Sequence, residues 1–381
     1  MEIRLMENCL AQEEFEAINK CLKAGRYTQG EKVQEFEEQF AKWNGSKYAV
    51  MVNSGSSANL LSVFILKEKF KLADGSEILV PAVTWPTTVY PIIQNNLVPV
   101  FCDVDDSYNI SIDSIERMTT EKTKAIFLVH LLGQPANMKE IINFCNKRNI
   151  ILLEDCCESL GAVYNNAKVG NFGVMSTFSF YFTHHITTIE GGMIVTQNSE
   201  IHDLLKSARS HGWIRNSQRI KKYNSKYPST DFVFDMLGYN LRSTEINAAI
   251  GLVQLKKVDS FIKIRKENHI LFNSLCTKAK PQKVNFNETS SFSFGIILNY
   301  IEERMRLLKE LPKKGVECRP IIAGNLLQQP VFKEKLIGKF RSDNCKMSDE
   351  INDRGLYLPN NQFIDQHKIE YMVNCINSIL R

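Results

Sequence analysis

Along the first two thirds of the chain, short apolar runs alternate with amphipathic ones. Residues 48–52, 78–81, 98–104, 125–129 and 150–153 are rich in Val, Ile and Leu at successive positions, so each reads as a strand covered on both faces. Between them, residues 56–70, 113–118 and 138–147 space their apolar side chains by three and four, as helices do. Strand–helix alternation of this kind predicts a mostly parallel sheet flanked by helices, an α/β fold. Residues 175–181 and 193–196 are expected to add strands to the same sheet.

From 243 to 275 a single long helical pattern runs with Ile246, Ile250, Val253 and Leu255 on its apolar side, and a helix of that length is expected to bridge two domains. Beyond it come a strand over 292–298, a helix over about 301–311, and Val316-Glu317-Cys318-Arg319-Pro320. These predict a large domain over 1–250 and a smaller C-terminal α+β domain over 251–381. Residues 210–228 are polar and basic with few apolar anchors, which predicts a surface loop or hairpin.

Composition changes little in this picture. Hydrophobic residues make up 44% and charged ones 23% of 381, as in ordinary globular proteins. The net charge of +5 is scattered, and Arg219, Lys221 and Lys222 form too short a cluster to suggest a nucleic-acid surface. No stretch reaches the roughly 18 apolar residues of a membrane span. Met1-Glu2-Ile3-Arg4 opens without the apolar run of a signal peptide, so a cytoplasmic protein is expected, with no membrane or nucleic-acid partner. The ten cysteines contain no C-x-C or C-x-x-C spacing, which argues for reduced thiols and against a zinc ribbon or an iron–sulfur cluster; no metal site is expected.

Three segments carry candidate chemistry. Asn53-Ser54-Gly55-Ser56-Ser57-Ala58-Asn59 follows a strand and opens a helix, where glycine permits close backbone approach and free N–H groups suit an anion; a plain helix cap is the other reading. Leu152-Leu153-Glu154-Asp155-Cys156-Cys157-Glu158 ends a buried strand, which aims a carboxylate at the crevice where α/β sheets bind ligands, or lets Asp155 cap the next turn. The third segment runs from Thr177 through Phe178-Ser179-Phe180-Tyr181-Phe182-Thr183-His184-His185 to Glu190-Gly191-Gly192. Adjacent histidines cannot face the same way on an extended chain, so the pair makes a poor metal site.

In this order, the three segments resemble the DegT/DnrJ/EryC1/StrS sugar aminotransferase family. The resemblance extends from Gly30-Glu31-Lys32-Val33-Gln34-Glu35-Phe36-Glu37 through Val80-Pro81-Ala82-Val83-Thr84 to Gly238-Tyr239-Asn240-Leu241-Arg242. It implies a fold-type I aminotransferase architecture with a mixed, mostly parallel sheet, and a homodimer with a composite active site. It implies a pyridoxal phosphate (PLP) or pyridoxamine phosphate (PMP) cofactor. By the same resemblance Gly55, Ser56, Ser57 and Ser179 hold the cofactor phosphate, joined by Asn240 from the partner subunit. Trp85 stacks on the ring, Asp155 pairs with the ring nitrogen, and Glu158 lies near the ring oxygen.

One departure matters most. The family carries lysine six residues before the glutamate of Glu-Gly-Gly, and His184 stands there; no lysine lies between Lys168 and Lys206. Imidazole cannot anchor PLP as a Schiff base, so the cofactor is expected to bind non-covalently. It can still act as an acid and base near neutral pH. Two branches of the family carry histidine here. One also binds an iron–sulfur cluster through clustered C-terminal cysteines, whereas Cys276, Cys318, Cys345 and Cys375 are isolated. The other acts on GDP-4-keto-6-deoxy sugars and shares the segments Trp85 to Pro91, His211 to Asn216 and Glu317 to Ile321. The resemblance thus implies removal of a C3 hydroxyl, with His184 as the catalytic group and glutamate as amino donor, in surface-polysaccharide synthesis. A nucleotide-sugar 4-aminotransferase and a non-catalytic PLP-binding protein are the alternatives. His185, His211, Arg215, Arg242 and Arg319 are the candidate contacts to substrate, and His185 could instead pack against or orient its neighbour.

Overall fold

A computed structural model describes residues 1–215, 217–223, 226 and 231–380. Asn216 and residues 224, 225, 227 and 228, parts of the basic stretch singled out above, lie outside the described residues.

Two helices, α1 (Gln12–Ala24) and α2 (Glu31–Asn44), precede the first strand, β1 (Tyr48–Val52). Then follow α3 (Gly55–Phe70), β2 (Glu77–Pro81), α4 (Pro86–Gln94), β3 (Val98–Cys102), α5 (Ile112–Met118), β4 (Thr123–Val129), α6 (Met138–Arg148) and β5 (Ile151–Asp155). A small hairpin, β6 (Val163–Tyr164) and β7 (Ala167–Lys168), leads to β8 (Met175–Ser179), β9 (Gly192–Thr196) and α7 (Ser199–Ala208). The last third holds α8 (Glu245–Leu255), α9 (Val258–Leu275), β10 (Lys280–Pro281), β11 (Ser293–Ile297), α10 (Ile301–Glu310), β12 (Arg341–Ser342), α11 (Lys346–Arg354), β13 (Gly355–Pro359) and α12 (Gln366–Ile379).

Eight strands form the main sheet in the order β1-β9-β8-β5-β4-β2-β3-β12. The run from β8 to β12 is parallel, whereas β9 is antiparallel to both β8 and β1. Helix α3 is apolar nearly all round, with Ala58, Leu61, Val63, Ile65 and Leu66 buried, because it is enclosed by β8, β9, α4 and α7. A second, antiparallel sheet, β10-β11-β13, packs with α9, α10 and α12 around Phe272, Phe294, Ile296 and Leu356. Ile3, from the start of the chain, belongs to this second cluster, and β12 returns to the edge of the main sheet; the chain thus crosses the expected boundary at 250 in both directions.

The long helix expected over 243–275 is two helices. It breaks at Lys256-Lys257, where Lys257 turns its ammonium to Glu13 and Glu14 of α1 at 2.7 Å each. Carboxylates also organise the entry to the fold. Glu245 of α8 accepts from the free N–H groups of Gly30, Lys32 and Val33 at 2.8–3.0 Å, which caps α2 from outside.

Alternation along β5 turns Glu154 and Asp155 to opposite faces. Glu154 is fully buried and accepts from His130 Nε2 (3.1 Å), the N–H groups of Gly170, Phe172 and Gly173 (2.9, 2.8 and 2.6 Å) and Ser176 Oγ (3.1 Å). Burial pushes its pKa up, but His130 and the backbone donors pull further, so the carboxyl lies below its usual range. His130 Nδ1 accepts from the Ala136 N–H at 3.0 Å, so Nε2 carries the hydrogen that Glu154 receives. His130, Glu154 and the nearby Cys156 are therefore a hydrogen-bonded hub whose ring nitrogens and carboxylate are already engaged. Glu154→Ala would strand these five donors and is expected to cost about 3–5 kcal/mol, read as a lower urea midpoint. An unchanged midpoint would show that the loop at 170–173 is held by other contacts.

Candidate active site

The C-terminal ends of β2, β5 and β8 open onto a cavity of about 440 Å³. Its lining brings Gly55, Ser56, Trp85, Asp155, Glu158, Ser179, His184 and Arg319 together from five separate stretches of sequence. Crevices at the carboxyl edge of parallel strands are where α/β sheets place their ligands.

The floor is the N-terminus of α3. Ser54 caps it, its Oγ accepting from the Ser57 N–H at 3.0 Å and donating to Ser57 Oγ at 3.0 Å. The cap reading of the serine-rich turn thus belongs to Ser54. Ser56 faces the cavity, and Ser57 is tied back to the cap and is not among the lining residues. A Cβ on Gly55 would sit 2.6 Å from Ser179 Cβ, and one on Gly192 would sit 2.3 Å from the Ser54 carbonyl oxygen. Both glycines therefore let the helix end press against β8 and β9, which sets the hydroxyl of Ser179 beside free N–H groups, a good seat for a phosphate.

Asp155, 4% exposed, closes a buried hydrogen-bond chain. Its Oδ2 accepts from Asn59 Nδ2 and Thr88 Oγ1 at 2.8 Å each, its Oδ1 accepts from the Cys157 N–H at 3.1 Å, and Asn59 Oδ1 accepts from Thr177 Oγ1 at 2.6 Å. The carboxylate is held rigidly with lone-pair capacity left toward the cavity. Sequence reasoning assigned no role to Asn59 or Thr88. Asn59 lies three residues past Ser56 on α3, so helical spacing could have found it.

Glu158 has a different environment. Burial pushes its carboxyl up to about 8, with the Leu132 N–H pulling the other way and Asp155 adding to the push. That N–H donates to Oε2 at 3.0 Å from a residue in left-handed backbone (φ 52), an arrangement costly for leucine and held by the packing around it. Glu158 is thereby held mainly in its protonated form at pH 7, next to Asp155.

His184 lies on the loop between β8 and β9. Its N–H donates to the Tyr181 carbonyl at 3.0 Å, and its ring packs between Phe292 and Tyr181, 5.3 and 6.3 Å between centroids. Burial pushes its pKa down to about 4, the Cys157 backbone pulling up and Arg265 adding to the fall, so the imidazole is neutral at pH 7. Its Nδ1 is buried with no partner. No lysine lines the cavity among the described residues.

His185 does not reach the cavity. It is 0% exposed and points into the interior, its Nε2 3.1 Å from the Ser290 carbonyl oxygen, so contact with substrate is excluded and this expectation is corrected. Asn240, Arg215 and Arg242 also stand elsewhere, lining a second concavity of about 490 Å³ with Lys206 and Trp213. His211 is exposed in left-handed backbone (φ 67) and lines neither space. Phe292, Ile322 and Tyr357 enter the first cavity from the second sheet and its flanks, with no local sequence signal to announce them.

The model of the DegT/DnrJ/EryC1/StrS aminotransferase family matches residues 8–377. The GDP-4-keto-6-deoxy-D-mannose 3-dehydratase of Escherichia coli O55:H7 is 41% identical over 371 residues, covering 94% of this chain and 95% of that one. The enzyme of the same name from Yersinia pseudotuberculosis is 38% identical over 382 residues, covering 96% and 95%. A solved structure of the E. coli GDP-4-keto-6-deoxy-D-mannose 3-dehydratase with bound hydrated PLP superposes with a TM-score of 0.93 at 39% identity, covering 99% of this chain and all of that one. With its fold and nearly its whole length matched, the chain belongs to the DegT/DnrJ/EryC1/StrS aminotransferase family.

Proposed function

We propose that this protein is a PLP- and PMP-dependent 3-dehydratase that removes the C3 hydroxyl of a GDP-4-keto-6-deoxy sugar, with glutamate as amino donor, in surface-polysaccharide synthesis. The observation that carries the reading is a neutral histidine in a cavity otherwise built for the cofactor, with no lysine among its lining. Relatives named for this reaction support it, as does a related dehydratase structure in which PLP and glutamate are trapped as a geminal diamine.

The residues present fit the cofactor. Ser56, Ser179 and the α3 N-terminus would hold its phosphate in the space that Gly55 leaves, Asp155 would face its ring nitrogen, and Trp85, 56% exposed at the cavity, offers an aromatic face. When bound, PMP supplies an amine for the C4 ketone and a protonated ring that takes up an electron pair. Asp155, facing that nitrogen, would favour its protonated form. His184 accepts a proton as a neutral imidazole, and its conjugate acid, of low pKa, is suited to protonating the departing hydroxyl. Glu158 offers a hydrogen-bond donor where a second carboxylate would repel. Without an amine at 184, the cofactor would be held in this cavity by non-covalent contacts alone.

We also infer a homodimer. Asn240, Arg215 and Arg242 would complete the partner's cavity, and Phe232, Phe234 and Leu237 beside them are 76%, 53% and 82% exposed, an apolar surface that suits burial against a second copy. Leu237→Asp is expected to shift the chain to monomer in sedimentation and to lower turnover at least about tenfold by putting a charge into a buried interface. A dimer of unchanged stability would place the interface elsewhere.

Incubation with PLP, glutamate and GDP-4-keto-6-deoxymannose, followed by mass spectrometry, tests the reaction. The expected product is lighter by one oxygen atom, with ammonia and 2-oxoglutarate released. An amino sugar as the main product would instead assign a 4-aminotransferase.

A further inference from the structure

A catalytic imidazole is ordinarily turned to its task by a third group that hydrogen-bonds its far nitrogen. No side chain plays that part for His184: its Nδ1 is buried without a partner, and the polar group acting on its ring is the Cys157 backbone. Beyond that backbone contact, packing limits the ring, chiefly against Phe292.

Phe292 is itself fixed through its backbone. Its N–H donates to the Leu132 carbonyl at 3.0 Å, and its carbonyl accepts from the Arg265 guanidinium at 3.0 Å. Two residues earlier, the Ser290 N–H donates to the Gly133 carbonyl at 2.9 Å and its hydroxyl donates to the Leu160 carbonyl at 2.7 Å. His185 reaches this same segment. Its Nε2 lies 3.1 Å from the Ser290 carbonyl oxygen and 3.0 Å from Ser290 Oγ, and its ring is 5.9 Å from that of Phe292. Because the Ser290 hydroxyl hydrogen goes to Leu160, the donor in this contact is His185 Nε2–H. Burial holds the imidazole neutral, well below its ordinary pKa, which leaves Nδ1 unprotonated.

We propose that His185 is a positioning residue: its hydrogen bond to Ser290 clamps the loop carrying His184 onto segment 290–292 and so fixes the reactive imidazole against Phe292. The adjacent histidines divide the work. One faces the cavity, and the other faces inward and joins the main-sheet loop to the strand entering the second sheet. This inference rests on the reading of His184 as the proton-transferring group.

The test compares His185→Leu, which removes the donor, with His185→Gln, whose amide nitrogen can replace Nε2–H. In the leucine variant kcat is expected to fall about 10–100-fold, the cost of a misplaced reacting group, with KM for the ketosugar unchanged within about twofold. The glutamine variant is expected to recover most of that loss. Should the leucine variant fail to fold, Ser290→Ala serves, removing one acceptor while keeping the carbonyl; a several-fold loss of kcat is expected, and a wild-type rate overturns the proposal. A second readout needs no turnover. In spectra of ¹⁵N-histidine-labelled protein, the His184 ring signals should shift and broaden in His185→Leu and return in His185→Gln. Unchanged His184 signals, or a rise in KM alone, also overturn it. If wild-type protein gives no dehydrated sugar while the spectra behave as expected, the assigned reaction fails and the positioning role stands.

Discussion

Replacing His184 with lysine is expected to lower dehydration of the ketosugar by about 10²–10⁴-fold, the usual contribution of a positioned acid–base group, and to let PLP attach covalently to the protein. Lysine at 184 would sit where burial already disfavours a charged imidazole, and the same desolvation lowers an ammonium pKa and frees the amine. The amine would then compete for the cofactor that the wild-type site leaves unanchored. Borohydride reduction followed by peptide mass analysis should find PLP on residue 184 of the variant and none on wild type. The product should shift from a sugar lacking its C3 oxygen toward an amino sugar. Dehydration at the wild-type rate would remove His184 from the role of base, whatever happened to the cofactor.

The pattern of burial explains what could be read from the sequence. Strands β1 to β5 are covered on both faces, so their Val- and Ile-rich runs mark them to within two residues of the observed ends. Their order is another matter. That β9 inserts antiparallel between β8 and β1 depends on the chain doubling back through the His184 loop, and nothing local distinguishes it from a parallel strand. The break at Lys256-Lys257 was hidden for a similar reason: it contains neither glycine nor proline, and its cause is a lysine reaching to α1.

The site divides along the same line. Ser56, Asp155, Ser179 and His184 lie at or just beyond strand ends in compact motifs, where residue type and position together suggest a ligand. Phe292 and Tyr357 come from the second sheet and line the cavity only because the two sheets pack together. The histidine pair lies in bends of the loop and not on extended chain, yet its rings still diverge: one at the cavity, the other inside.

Asp155→Asn is expected to lower the dehydration rate by about 10–10³-fold with the cofactor still bound, because an opposite charge at close range shifts a pKa by about 1–3 units. The geometry sharpens this. Oδ2 accepts from both Asn59 and Thr88, so an asparagine at 155 must turn its carbonyl oxygen to those two donors. Its amide nitrogen then takes the place of Oδ1, beside the Cys157 N–H and toward the cavity. The site would present a donor to a ring nitrogen that needs an acceptor, which disfavours the protonated ring beyond the loss of charge alone. The shape of the side chain is kept, so folding and phosphate binding by Ser56 and Ser179 should be little altered. Single-turnover rates with pre-bound PMP, set beside cofactor affinity and thermal midpoint, separate these effects. A variant that binds cofactor normally and dehydrates within about threefold of wild type would mean that Asp155 only closes the turn after β5.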